Sequence, residues 1–219
     1  MIEILYSDAH IAVCLKPVGV LSQDGGEDSM PQMLKKQLQA NEVFPIHRLD
    51  KAVGGVMVYA LTPNAAAALS RAVQERTLEK TYFAVLHGFP EKDEGDLEDL
   101  LFHDKLKNKT YVVNRQRKGV KPAKLTYRVL ETAQENCLVQ VYLHTGRTHQ
   151  IRVQFASRKL PLVGDGRYGG KNASSALGLW SCALSFKHPV TGERMTFRHA
   201  PPDILPWSRF HVITKESLL

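Results

Sequence analysis

Cysteine is scarce in this chain of 219 residues: Cys14, Cys137 and Cys182 are odd in number, far apart and never spaced Cys-x-x-Cys. A disulfide framework and a thiolate metal site are thereby excluded, and the three read as reduced thiols in a core. Long apolar runs are missing as well. Nothing approaches the roughly 18 apolar residues of a membrane span, and the opening Met1-Ile2-Glu3 meets Asp8 before any extended hydrophobic stretch. The expectation is a soluble, cytosolic protein with no membrane partner. Internal repeats, low-complexity tracts and linkers are also absent. What is present is a hydrophobic share of 43% with eight Phe, seven Tyr and two Trp, enough to offset chain entropy and exclude disorder. At roughly 100–200 residues per domain, the expectation is a single catalytic-sized domain over residues 1–219.

The formal charge is +7, and its distribution says more than its sum. Glu91 to Asp99 holds six acids and one lysine, whereas Lys105 to Arg128 holds nine basic residues and no acid. Lys105, Lys107 and Lys109 alternate, then come Arg115, Arg117, Lys118, Lys121 and Lys124, with Tyr111 and Tyr127 interleaved. Alternating cations beside aromatics suit a ribbon laid along phosphates with rings available to bases. A solvated hairpin over about 103–128 is the plainer alternative. The basic balance of the whole chain favours nucleic acid.

Apolar runs around Ser7-Asp8 predict an opening hairpin, and Ser29 with Pro31 predicts a short helix to about Ala40. Val56 to Leu61 reads as a strand buried on both faces. Thr62 then caps an alanine-rich helix to about Arg76, with Pro63 in its first turn. Thr81 to Leu86 reads as a strand, and Lys124 to Leu130 with Leu138 to Leu143 as a hairpin around Glu135-Asn136. Thr148 opens a helix in which Ile151 and Phe155 share one face, and Leu179 to Phe197 closes the pattern with a last hairpin. Many strands and few helices without βαβ rhythm predict an α+β fold: a mostly antiparallel mixed sheet with flanking helices.

Two polar clusters interrupt this apolar pattern with charges that burial disfavours unless they are paired. The first is His47-Arg48-Leu49-Asp50, leading through Val53-Gly54-Gly55 into the buried strand; the second is Gly146-Arg147-Thr148-His149-Gln150-Ile151-Arg152. Taken alone, Asp50 fits structural ion pairing as well as chemistry. A kinase is excluded because neither Gly-x-Gly-x-x-Gly nor Asp-Phe-Gly occurs, and a serine hydrolase because Gly-x-Ser-x-Gly is missing. The spacing of His144 and His149 fits no zinc set, so no metal is expected. What remains is a carboxylate, an arginine and aromatic faces.

The motifs His47-Arg48-Leu49-Asp50, Glu79-Lys80-Thr81-Tyr82-Phe83-Ala84, Gly146 to Arg152 and Pro161-Leu162-Val163-Gly164-Asp165 occur in an order and spacing that resembles the RluA-type RNA pseudouridine synthases. Lys16-Pro17-x-Gly19 and the strand start Lys121-Pro122-Ala123 are similar to that family too, over about residues 1 to 200. One departure is visible, since Val53-Gly54-Gly55 stands where the family commonly has Thr-Ser-Gly. The resemblance implies the pseudouridine synthase catalytic fold, no cofactor, and isomerisation of a specific uridine in structured RNA, a tRNA or rRNA stem-loop, without an obligate protein partner. It implies that Asp50 is the essential carboxylate, nucleophile or base, that the fork of Arg152 keeps it ionised, and that Tyr82 stacks on the uracil while Ile151 packs against it. Arg48 and Arg147 are assigned to phosphates or to the gap left by the flipped base, although ion pairing fits them equally. His47 and His149 are expected to orient loops, Asp165 to shape a turn, and Lys107, Lys109, Arg115 and Arg117 to contact RNA. The alternative is an RNA-binding protein or chaperone of the same fold, in which the altered Val53-Gly54-Gly55 loop has abolished turnover.

Overall fold

The computed structural model describes residues 1–169 and 176–213. In chain order the elements are β1 (Ile4–Ser7), β2 (Ile11–Lys16), α1 (Met30–Leu38), β3 (Phe44–Pro45), β4 (Gly54–Ala60), α2 (Pro63–Gln74), β5 (Glu79–His87), β6 (Glu94–Asp104), β7 (Lys109–Val113), β8 (Val120–Ala133), β9 (Asn136–Leu143), α3 (Gln150–Ala156), β10 (Leu179–Lys187) and β11 (Arg194–Arg198). They form two compact units. One comprises Met1–Lys80 with Ser181–Pro201, and the other Thr81–Trp180 with the segment from Pro202.

In the first unit, Asp8 folds the opening hairpin by accepting the His10 and Ile11 N–H groups on Oδ1, each at 2.8 Å. β2 then pairs antiparallel with β4, Lys16 opposite Gly55 and Ile11 opposite Ala60. All seven residues of β4 are buried, as its unbroken apolar run predicts. Gly55 has φ +123°, and a Cβ there would stand 2.2 Å from the Ser181 carbonyl oxygen, so only glycine fits where β4 meets the backbone of β10. β10 and β11 form an antiparallel hairpin, with Leu184 opposite Phe197. In α2 the Thr62 hydroxyl accepts the Ala65 N–H at 3.3 Å. Ala65 and Leu69 face a core of Ile11, Val13, Val56, Val58, Leu184 and Phe186. α1 ends at Leu38 because Gln39 turns left-handed, φ 52°.

The second unit is an antiparallel meander in the order β5, β9, β8, β6, β7. Its β6 is an element that the acidic composition concealed. Glu94, Asp96 and Glu98 point outward while Leu97 and Leu101 are buried. Glu98 lies opposite Lys124, whose Nζ reaches Glu98 at 2.6 Å and Asp96 at 3.4 Å. The acidic and basic stretches of the sequence are therefore partners across one ladder, and the basic run divides between β7, an exposed loop and β8. α3 packs on this sheet: Phe155 meets the Tyr127 ring edge-on at 5.6 Å, and Gln154 Nε2 donates to the Leu97 carbonyl at 3.1 Å and to Asp99 at 2.8 Å. Among the described residues no helix is long and apolar enough to cross a membrane.

Candidate active site

Asp50 lies in the first unit, in the loop that precedes β4, and is half-buried. That loop is pinned on both sides of the aspartate by a single segment, Lys16 to Ser22. Before Asp50, the Ser22 hydroxyl donates to the Leu49 carbonyl at 2.9 Å and accepts the Leu49 N–H at 3.2 Å. After it, the Lys51 carbonyl accepts from the Gly19 N–H at 2.8 Å and from Lys16 Nζ at 3.3 Å. Lys16 is fully buried, and its ammonium also donates to the carbonyls of Pro17 at 2.8 Å and Val20 at 2.7 Å. Burial pulls the Lys16 pKa down to about 8, against the charge of Asp50, which favours the protonated form. Sequence reasoning assigned Lys16 only to a motif. Its signal was a lysine ending an apolar run just before Pro17 and Gly19.

His47 opens the loop and is buried; its Nε2 accepts the Val58 N–H at 3.3 Å, and its Nδ1 has no hydrogen-bond partner among the described residues. Burial, helped by the charge of Lys80, pushes its pKa down to about 3, so the ring is neutral. Arg48 beside it is exposed. Val53 is buried at 2% exposure and closes the turn by donating its N–H to the Asp50 carbonyl at 2.9 Å. Gly55, two residues on, is the glycine that β4 packing requires.

Arg152 lies in the second unit, on α3, at 8% exposure. Its Nε and Nη2 each donate to a different oxygen of Asp165 at 2.8 Å, a bidentate pair with a carboxylate that is itself 1% exposed. Asp165 therefore does more than shape a turn, although it does that too: its Oδ1 accepts the N–H groups of Arg167 at 3.2 Å and Tyr168 at 3.3 Å. The Tyr168 ring covers the guanidinium at 5.2 Å, and its hydroxyl meets His149 Nδ1 at 2.9 Å and accepts the Thr110 N–H at 2.7 Å. Sequence reasoning missed Tyr168. An acid between two glycines, with a tyrosine three residues on, was the available signal.

Gln150 organises the rest of the motif. Its Oε1 accepts from Thr145 Oγ1 at 2.8 Å and the Arg147 N–H at 3.1 Å, and its Nε2 donates to the Lys124 carbonyl at 3.1 Å. Arg147 Nε donates to the Pro122 carbonyl at 3.0 Å. Ile151 is buried at 4%, and so is Tyr82, which lies in β5 opposite Val141. Of the hairpin cations, Lys107 and Arg115 are exposed, Arg117 lies over the Phe102 ring at 5.0 Å, and Lys109 lies over Tyr111 at 5.8 Å and Tyr168 at 5.5 Å. No group of His, Cys, Asp and Glu able to hold a metal occurs among the described residues. Burial drives the thiols of Cys14 and Cys182 up to about 12 and that of Cys137 to about 11, leaving them unreactive.

Charged groups set in an α+β scaffold that also carries a cationic hairpin fit an enzyme that handles RNA, and the comparisons specify which kind. The family described as RNA pseudouridylate synthase matches residues 10–157. A dual-specificity RNA pseudouridine synthase RluA from Escherichia coli is 36% identical over 212 residues, spanning 91% of this chain and 93% of the relative. An uncharacterized RNA pseudouridine synthase from Aquifex aeolicus is 35% identical, covering 92% of this chain and 70% of the relative. In fold, the chain is similar to human RNA pseudouridylate synthase domain containing 1, with a TM-score of 0.77 and 23% identity over 94% of this chain and 85% of that one. The chain belongs to the RNA pseudouridylate synthases of the RluA type. As a member of that family it is an isomerase that forms pseudouridine in RNA.

Proposed function

We propose that the chain converts one specific uridine of a structured RNA, a stem-loop of tRNA or rRNA, to pseudouridine with Asp50 as the essential carboxylate. The reaction breaks the bond from ribose C1′ to uracil N1 and forms one from C1′ to C5. The C5 proton is lost and N1 gains one, so neither oxidant nor cofactor is consumed. The observation that carries this reading is the clamping of Leu49 and Lys51, the two neighbours of Asp50, by the Lys16 to Ser22 segment. Such a clamp fixes the backbone on both sides of Asp50, the pre-organisation that a carboxylate attacking or deprotonating a nucleoside needs.

Tyr82 stacks on the uracil and Ile151 packs against it in this proposal, and Arg152 supplies the reaction's positive charge. The target base must leave its stack to be reached. Arg48, Arg147, Lys107, Lys109, Arg115 and Arg117 hold phosphates while it does so, and His47 acts behind them by holding the loop. Incubation with 5-fluorouridine-substituted RNA tests the proposal. A catalyst forms a slow-migrating adduct or a rearranged product and loses both on Asp50→Ala, whereas a chaperone that only binds RNA forms neither.

A further inference from the structure

The tip of the β6–β7 hairpin, Lys105 to Asn108, carries Leu106 at 100% exposure between two exposed lysines. Single exposed leucines are ordinary on protein surfaces, so exposure alone means nothing. This one is held out by a built support. Asp104 Oδ1 accepts the N–H groups of Leu106 at 3.0 Å and Lys107 at 3.1 Å, and Asn108 closes the turn with a left-handed φ of 44°. From the other side, Arg167 Nη1 donates to the carbonyls of Lys107 at 3.2 Å and Asn108 at 3.0 Å. One residue below the turn's base, the Tyr168 hydroxyl takes the Thr110 N–H. The turn's backbone is thus fixed from both sides.

The braces come from the loop that holds Arg152. Asp165, the partner of Arg152, precedes Arg167 by two residues, so about 7 Å of backbone and one arginine side chain connect the carboxylate to the tip. A rigid apolar group flanked by cations, tied that closely to a motif arginine, matches what unstacking a nucleotide requires. Phosphates are gripped on either side and an apolar wedge fills the step from which a base has been withdrawn.

The geometry points to Leu106 as a wedge that enters the RNA stack beside the uridine to be modified, with Lys105 and Lys107 on the flanking phosphates and Arg167 setting its position. This rests on the proposal above that the substrate uridine lies in structured RNA. Its ligand is a stacked base step of a stem-loop.

The test uses an in vitro transcribed stem-loop carrying a uridine that wild-type protein modifies in bulk tRNA and rRNA, with 2-aminopurine placed next to that uridine. Wild type and Leu106→Met raise the 2-aminopurine fluorescence on binding, and Leu106→Gly does not. Single-turnover modification of the stem-loop by Leu106→Gly falls at least about tenfold, while modification of the same sequence presented unstacked, in a strand that cannot form the stem, stays within about twofold. Arg167→Met gives the same pattern more weakly. Full fluorescence and full turnover by Leu106→Gly on the stem-loop overturn the wedge and leave the proposed function standing, as does an equal loss on both RNAs. A wild-type protein that modifies no uridine overturns the function and the wedge together.

Discussion

Asp50 and Arg152 are both charged residues set among apolar neighbours, and the bonds that fix their surroundings differ in kind. The backbone around Asp50 is fixed by bonds to the residues on either side, and Lys16, which feels the charge of Asp50, is buried and engaged with carbonyls. Arg152 is positioned through its own guanidinium, by two bonds to a buried carboxylate and by the ring of Tyr168. The first arrangement fixes the backbone of a loop; the second makes a side chain part of the framework. Substitution of Asp50 leaves the bonds to Leu49 and Lys51 in place and should remove chemistry, whereas substitution of Arg152 breaks its pair with Asp165 and should lower stability as well.

The largest effect is expected at Asp50. Asp50→Asn lowers pseudouridine formation by at least about 10³-fold while RNA affinity is retained, as read by carbodiimide-blocked primer extension beside a binding isotherm. Arg152→Met comes next, because it leaves Asp165 buried and uncompensated, at a cost of about 3–5 kcal/mol in urea unfolding. Adding Asp165→Leu restores much of that stability and none of the activity. If Arg152→Met unfolds like wild type, the contrast between the two regions fails.

A smaller effect isolates Lys16. In the unfolded chain this lysine keeps its proton to about 10.5, in the fold only to about 8. Between these values the unfolded state binds more protons, so the lysine's contribution to stability rises with pH across that window, by at most about 1.4 kcal/mol per pH unit. The stability of wild type minus that of Lys16→Met should rise accordingly; a difference that is flat from pH 8 to 10.5 contradicts the buried ammonium. Comparing the two proteins cancels the opposing titration of the buried cysteines. The smallest effect is on the hairpin, where exchanging Lys107, Lys109, Arg115 and Arg117 for glutamine shallows the salt dependence of RNA binding by about 0.7–0.9 for each phosphate no longer neutralised. An unchanged slope removes these residues from the interface.

The local signals in the sequence were reliable where structure is local. The Ser7-Asp8 turn, the Thr62 cap with Pro63 and the buried β4 follow from turn chemistry, capping and an apolar run. β6 was not legible, because six acids in nine residues mask the inward Leu97 and Leu101, and its stability depends on a cationic partner strand that only tertiary pairing reveals. The same limit applies to the site. Motif residues Asp50, Tyr82 and Arg152 stand out in the sequence, but the supports of Asp50 and Arg152, Lys16, Ser22, Asp165 and Tyr168, are defined by what they touch. The Val53-Gly54-Gly55 departure also becomes intelligible only in space: Val53 is packed away, and Gly55 is the residue that cannot change.

The central claim is that a clamped, half-buried carboxylate carries out the isomerisation. Pseudouridine formed per bound RNA, measured for wild type and Asp50→Asn at matched RNA occupancy, tests it most directly. The account predicts conversion by wild type and none above background by the variant, with both proteins equally folded. Conversion by Asp50→Asn at the wild-type rate would contradict it.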